Sequence, residues 1–211
     1  MKIGIIGSGT VGKALAEGFL KNSHEVMIGT RDASKLSEWL VKNKAKTGSN
    51  AEAAKFGELI VLCVNWHGLN NALELSGKEN FAGKIVIDVT NPLVFEKQGE
   101  APKLALGYPE SAGARIQKML PDSKVVKCFN IVTAKYMCNP RLQEGTADML
   151  VCGNDAESKE TVSKIASEWG WPIHDLGGIE NAYLMESIAM AWIVYGFNNN
   201  HWTHAFKILQ K

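Results

Sequence analysis

A doubly wound α/β fold with a mainly parallel sheet is predicted by three observations. Short apolar runs alternate with segments of helical period along most of the chain. The runs are continuous rather than alternating, as in Leu59-Ile60-Val61-Leu62-Cys63-Val64, which is the pattern of parallel strands buried on both faces. A glycine turn, Gly7-Ser8-Gly9-Thr10-Val11-Gly12, joins the first strand to the first helix.

The elements follow in order. Ile3-Gly4-Ile5-Ile6 reads as the first strand, and after the turn Val11, Ala14, Leu15, Gly18 and Phe19 recur at helical spacing to form one apolar face. His24-Glu25-Val26-Met27-Ile28 is the second strand, and a helix begins near Ser34 with Asp32 as its cap. Residues 53–58 read as helical, 59–64 as a buried strand, 84–89 as a strand after the Phe81-Ala82-Gly83 turn, 112–120 as a helix and 125–129 as a strand. Residues 93–109 match no regular pattern. From Ala147 the alternation repeats in smaller form: a strand over 149–152, a helix over 156–169, a strand over 173–176 and a Met-, Ala- and aromatic-rich helix over 179–195. The expected organisation is therefore residues 1–146 as a nucleotide-binding domain and 147–211 as a small C-terminal α/β unit that closes the cleft or forms a dimer seam, the two being either separate or one continuous domain.

Composition narrows the function. With 211 residues, 45% apolar content and a net charge of +1, the chain can bury a substantial core, and no basic block or bilayer-length apolar run points to nucleic acid or membrane. The N-terminus is already a strand rather than a targeting segment, so a cytoplasmic protein is expected. Cys63, Cys128, Cys138 and Cys152 are widely spaced with no C-x-x-C pair, which reads as buried free thiols. His201 and His204 lie three apart but have no neighbouring carboxylate, so no metal site is expected.

The glycine turn follows a strand and opens a helix, the context of a dinucleotide site. Gly7 permits the turn, Gly9 lets a pyrophosphate approach, Gly12 packs the helix on the sheet, and the free amides at the helix N-terminus point at the phosphates. At the end of the second strand, where NAD enzymes carry a carboxylate for the ribose 2′-hydroxyl, stands Thr30. Thr30, Arg31 and Lys35 instead suit a 2′-phosphate, and NADP(H) is the expected cofactor. The alternative for Arg31 and Lys35 is an ordinary solvated helix start.

Ligands in such sheets lie beyond the carboxyl ends of the strands, so the tails after each run are site candidates: Val64, Asn65 and Trp66, then Asn91, then Asn130, Ile131 and Val132. Each has a local alternative, since Asn and Pro also end strands and shape turns. The segment 181–186 could face an acceptor, although an apolar stripe with Met and Tyr is more often core. His67 and His174 are read as structural, and no catalytic residue is assigned.

The opening Lys2-Ile3-Gly4-Ile5-Ile6-Gly7-Ser8-Gly9-Thr10-Val11-Gly12, the Gly29-Thr30-Arg31 strand end, Val125-Val126-Lys127-Cys128-Phe129-Asn130, Val151-Cys152-Gly153-Asn154-Asp155 and the Asp175-Leu176-Gly177-Gly178-Ile179-Glu180-Asn181-Ala182 segment together resemble the F420-dependent NADP oxidoreductases. The resemblance implies a compact Rossmann-type protein with a small C-terminal unit, passing a hydride between NADP(H) and the deazaflavin coenzyme F420. It places the pyrophosphate on Ser8 to Val11, the 2′-phosphate on Thr30, Arg31 and Lys35, and Trp66 beside the nicotinamide. A related domain donates electrons from NADPH through a flavin in membrane ferric reductases, so a flavin is the other co-substrate in view. Two further alternatives stand: an NADPH-dependent reductase of a small carbonyl or imine, against which the short tail with its two strands argues, and a non-catalytic NADP-binding regulator.

Overall fold

The computed structural model describes residues 1–209. Its centre is an eight-stranded sheet. The chain runs β1 (Lys2–Ile6), α1 (Thr10–Lys21), β2 (Glu25–Gly29), a 3₁₀ turn at Ala33–Leu36, α2 (Ser37–Lys42), β3 (Lys46–Gly48), α3 (Asn50–Phe56) and β4 (Leu59–Leu62). It continues through a 3₁₀ turn at Trp66–Gly68 into α4 (Leu69–Ser76), β5 (Ile85–Asp88), a small hairpin of β6 (Leu93–Val94) and β7 (Lys103–Leu104), α5 (Ala112–Met119) and β8 (Lys124–Lys127). After a second small hairpin, β9 (Arg141–Leu142) and β10 (Gly145–Thr146), come β11 (Met149–Gly153), α6 (Ala156–Glu168), β12 (Ile173–Asp175) and α7 (Ala182–Asn199).

The strand order is β12-β11-β8-β5-β4-β1-β2-β3, and β1 pairs with β2 on one side and β4 on the other. The winding direction reverses there, which opens a crevice beyond the carboxyl ends of β1 and β4. All neighbours are parallel except β8 and β11. The exception has a physical cause. A parallel return needs a long crossover, and between β8 and β11 the chain offers only a 3₁₀ turn and the β9–β10 hairpin, whereas α6 provides the crossover that makes β12 parallel to β11. The strands after Ala147 thus extend the same sheet, with their carboxyl ends at the opposite edge from the crevice.

The central strands carry the core. Ile3, Ile5, Ile6, Leu59, Ile60, Val61, Leu62, Val86 and Ile87 are buried, each such side chain contributing about 1.5–3 kcal/mol of transfer free energy. Helix α1 buries Gly12, Leu15, Ala16, Gly18 and Phe19, so Ala16 rather than Ala14 completes the face expected at helical spacing. Residues 53–58 were expected to be helical; the helix starts earlier, at Asn50, because Ser49 and Glu52 form a reciprocal capping box. The sequence pattern passed over β3, α4 and both hairpins, and residues 93–109 are the β6–β7 excursion.

Helix α7 is apolar on nearly all sides. Glu186 is its only ionisable side chain besides the tyrosines, and it is buried. Beyond α7 the chain turns back along the sheet: the Asp148 amide donates to the Phe206 carbonyl, and the Asp148 carboxylate accepts from the Ile208 amide and Lys207 Nζ. His204 stacks on Trp192 at 4.6 Å between ring centroids. No helix among the described residues is long and apolar enough to cross a membrane.

Candidate functional site

A cavity of about 350 Å³ opens at the crevice between β1 and β4. Its floor is the glycine turn. Gly7 has φ +123°, a conformation that side chains rarely adopt, and a methyl group on Gly12 would overlap the Gly7 carbonyl oxygen. A Cβ on Gly9 would meet nothing within 4 Å, so there the backbone lies open to the cavity. Helix α1 begins at this point without a side-chain cap and with no acidic residue in its first turn. By contrast α3, α5 and α6 are capped by Ser49, Ser111 and Asp155, and α2, α4 and α7 continue out of 3₁₀ turns. The free amides and the positive end of the α1 dipole therefore meet the cavity, an arrangement that accommodates a phosphate group.

The second wall comes from the end of β2. The Thr30 hydroxyl lies 2.9 Å from the Ser8 hydroxyl and accepts from the Asp32 amide at 3.1 Å. The Asp32 carboxylate caps the following 3₁₀ turn, accepting from the Ser34 amide at 3.0 Å and the Ser34 hydroxyl at 2.6 Å, and these bonds hold it below the usual carboxylate range. Asp32 is thereby engaged by the chain itself, as expected of a cap. Lys35 lies 4.0 Å from it and is exposed, and Arg31 makes no ion pair or side-chain hydrogen bond among the described residues. Arg31 and Lys35 both line the cavity and supply cationic donors there.

The third wall is the β4 tail. Val64 and Asn65 line the cavity, and the Asn65 Oδ1 accepts from the Gly68 amide at 2.8 Å, while its Nδ2 makes no hydrogen bond among the described residues. Cys63 also lines it, as a thiol rather than a thiolate: burial pushes its pKa up to about 12, and its Sγ donates to the carbonyls of Ile6 and Gly7.

Of the residues predicted from sequence, the cavity brings together Gly7, Ser8, Gly9, Thr30, Arg31, Lys35, Val64 and Asn65. Thr10 and Val11 stand in the first turn of α1 and Gly12 is packed beneath it. Trp66 lies beyond the cavity lining in the 3₁₀ turn after β4, with the Arg115 guanidinium 6.0 Å from its ring centroid. Asn91 and Asn130 pair across the tails of β5 and β8: Asn91 Nδ2 donates to the Asn130 carbonyl at 2.8 Å and Asn130 Nδ2 to Asn91 Oδ1 at 2.9 Å. Ile131 and Val132 are buried in the core outside the cavity lining. Gly29, quoted only as part of the strand end, lines the cavity too, as do Asn50, Gly68, Asn71 and Ala72, which had not been singled out. The signal for the last three was present, since Leu69, Ala72, Leu73 and Ser76 recur at helical spacing behind an Asn cap.

Beneath the tails of β5 and β8 lies a buried charge cluster that the sequence reading did not find. Lys127 Nζ is 2.8 Å from Asp88 Oδ2 and 3.1 Å from Glu186 Oε1, and it donates to the Thr90 carbonyl at 2.7 Å. Burial alone would push the Lys127 ammonium down, but the two carboxylates outweigh it and hold its pKa up at about 12. Asp88 Oδ1 accepts from the amide and hydroxyl of Thr90, and Glu186 accepts from the first amides of α5, Ala112 and Gly113, at 3.0 and 3.1 Å. Glu186 is thus committed to the interior and does not face an open acceptor side. His174 Nε2 lies 3.2 Å from Asp148 Oδ2, beside the returning C-terminal segment.

The family model described as NADP oxidoreductase, coenzyme F420-dependent, matches residues 2–92. The F420-dependent NADP reductase of Methanocaldococcus jannaschii is 31% identical over 207 residues, which cover 89% of this chain and 89% of that protein. The metalloreductase STEAP3 of Rattus norvegicus is 30% identical over 190 residues, but the chain spans only 36% of that protein's length. Among solved structures, that of a candidate F420-dependent NADP reductase from Arthrobacter sp. FB24 superposes with a TM-score of 0.94 at 35% identity, over 100% of both chains.

Proposed function

Because the chain belongs to the family of F420-dependent NADP oxidoreductases and is an NADP-dependent oxidoreductase, we propose that it passes a hydride between NADP(H) and coenzyme F420. The cofactor reading is carried by one observation: at the end of β2, where a carboxylate would select NAD, the chain offers Thr30 and an Arg31 that makes no ion pair among the described residues, while the nearby Asp32 is occupied by Ser34. On this reading the turn from Gly7 to Gly12, with Ser8, Thr10 and Val11, holds the pyrophosphate. Thr30, Arg31 and Lys35 hold the 2′-phosphate. Val64, Asn65 and Trp66 reach toward the nicotinamide half, and Asn91, Asn130, Ile131 and Val132 form the adjoining edge. Of the C-terminal unit, α7, whose Glu186 binds the start of α5, stands on the acceptor side, while β11 and β12 extend the far edge of the sheet.

The reaction moves two electrons and one proton, as a hydride, from nicotinamide C4 to the acceptor ring, and the second proton of the reduced acceptor comes from solvent. The protein needs no acid or base for this. Its contribution is to hold two rings together away from water, where proximity and orientation supply most of the rate. F420 is favoured over other acceptors because the archaeal reductases match along nearly their whole length. The likeness to the metalloreductase supports a flavin as the second reading.

Anaerobic mixing of the protein and NADPH with oxidised F420, and separately with FMN and FAD, distinguishes the two. Loss of the F420 absorbance, with the flavins slow, is the expected result. Bleaching of flavins alone would replace F420 by a flavin, and no bleaching of any acceptor would refute hydride transfer to either ring.

A further inference from the structure

The glycine turn and α1 are joined to the chain after β2 by side-chain hydrogen bonds whose partners are each 22 residues apart. Ser8 Oγ lies 2.9 Å from Thr30 Oγ1, Lys13 Nζ donates to the Lys35 carbonyl at 3.1 Å, and Trp39 Nε1 donates to Glu17 Oε1 at 2.7 Å. These rungs run in register, up α1 on one side and along the 3₁₀ turn and α2 on the other. The first lies in the nucleotide cavity, which Ser8 and Thr30 both line. The last lies outside it, in a neighbouring recess lined by Lys13, Glu17, Lys35 and Trp39. Lys35 lines both, so the Lys13 rung stands where the two recesses meet.

Lys13 occupies an electrostatically unfavourable position. It is the fourth residue of α1, near the end where the helix dipole is positive and a cation is repelled. Glu17, one turn further along, could offset it, but the Glu17 carboxylate accepts from Trp39, and Lys13 makes no ion pair among the described residues. Lys35 is in a similar state, because the Asp32 carboxylate 4.0 Å away is bound by the Ser34 amide and hydroxyl. Lys13, Arg31 and Lys35 thus bring three cations to one wall whose acids are already hydrogen-bonded, a surplus that an anion would neutralise. The 3₁₀ turn at Ala33–Leu36 is held at its ends by the Asp32 cap and by the buried Leu36. Between those ends, the Lys13 ammonium holds the backbone at Lys35 itself.

We propose that Lys13 is a positioning residue for the choice of NADP(H) over NAD(H): by holding the Lys35 carbonyl it fixes the 3₁₀ turn so that the Lys35 ammonium meets the 2′-phosphate. Without that bond the Lys35 carbonyl faces solvent, and the turn is free to carry its cation off the cavity wall. NAD(H) has no 2′-phosphate, so its binding does not draw on this arrangement. The inference deepens the cofactor reading and rests on the placement of the 2′-phosphate at Thr30, Arg31 and Lys35.

The test is nucleotide binding, which needs no turnover and no acceptor. Kd values for NADPH and NADH are measured for wild type, Lys13→Met, Lys13→Arg, Lys35→Met, the Lys13→Met/Lys35→Met pair and Arg31→Ala, with the thermal midpoint of each nucleotide-free protein. Lys13 is partly exposed, so its variants are expected to fold. Lys13→Met is expected to raise the NADPH Kd about fivefold or more, the scale of one hydrogen bond, while the NADH Kd stays within about twofold. Lys13→Arg, which keeps a cationic donor, is expected to stay close to wild type. In the Lys35→Met background Lys13→Met should add little, because it acts through that residue. An unchanged NADPH Kd in Lys13→Met, an equal loss for NADH, a loss in Lys13→Arg as large as in Lys13→Met, or full additivity in the pair overturns the role of Lys13. Arg31→Ala reads the underlying placement separately. Selective loss of NADPH there without it in Lys13→Met overturns the role of Lys13 alone, and no selective loss in Arg31→Ala, Lys35→Met or Lys13→Met overturns the 2′-phosphate placement as well.

Discussion

At the end of β2 the Asp32 carboxylate accepts from the Ser34 amide and hydroxyl, and no ion pair joins it to Arg31 among the described residues. A cation that lines the cavity, with its neighbouring acid already engaged, is the physical basis for preferring a 2′-phosphate over a 2′-hydroxyl. Arg31→Ala is therefore expected to weaken NADPH binding by about 1–3 kcal/mol, the worth of a lost charged hydrogen bond, and to leave NADH binding nearly unchanged. Parallel titrations of both nucleotides check it, and equal losses would contradict the assignment. Much of this wall was legible in the sequence. Glycine turns, caps and strand-end residues act over a few positions, so Gly7, Gly12, Asp32 and Thr30 could be placed from local pattern. Cys63 and Asn50 could not. Cys63 was legible as a buried thiol, but that it and Asn50 meet the cavity was not, because that follows from the pairing of strands distant in sequence.

At the scale of elements, the join that matters is made by Lys127, Asp88 and Glu186, which fasten β8, β5, α7 and the start of α5 to one another. Lys127→Met would leave two buried carboxylates without their counter-ion. A loss of about 3–5 kcal/mol of unfolding free energy is expected in urea titration, and a change below about 1 kcal/mol would show the cluster to be dispensable. The sign with pH follows from the raised pKa. The ammonium's contribution is fully present below the unfolded value of 10.5 and is lost as pH rises through about 12, so wild type should lose stability across that window and the methionine variant should not show the same loss. The only local hint of the cluster was a charged residue inside the apolar run at 125–128, because its partners lie on other strands and helices. A related limit explains β3, whose three residues carry too few repeats for periodicity to register, whereas β4 and α6 were long or apolar enough to be read and the helical spacing of α4 was there to be read.

Across the whole molecule, the sheet divides into two uses. The parallel strands from β3 to β8 direct their carboxyl ends toward one edge, where the nucleotide cavity lies, while β11 and β12 run the other way and serve as a buttress carrying α6 and leading into α7. The reversal at β11 could not be read from its apolar pattern, which is the same in either direction; it follows from the missing crossover helix. Direct passage of a hydride between NADPH and F420, as proposed, is the claim on which the account rests. The most direct measurement uses NADPH carrying deuterium at C4, prepared in each of the two stereochemical forms, with oxidised F420 as acceptor under anaerobic conditions. The account predicts that one form, and only one, delivers its deuterium into the reduced F420. Reduced F420 free of label from both forms, or no reduction at all, would contradict it.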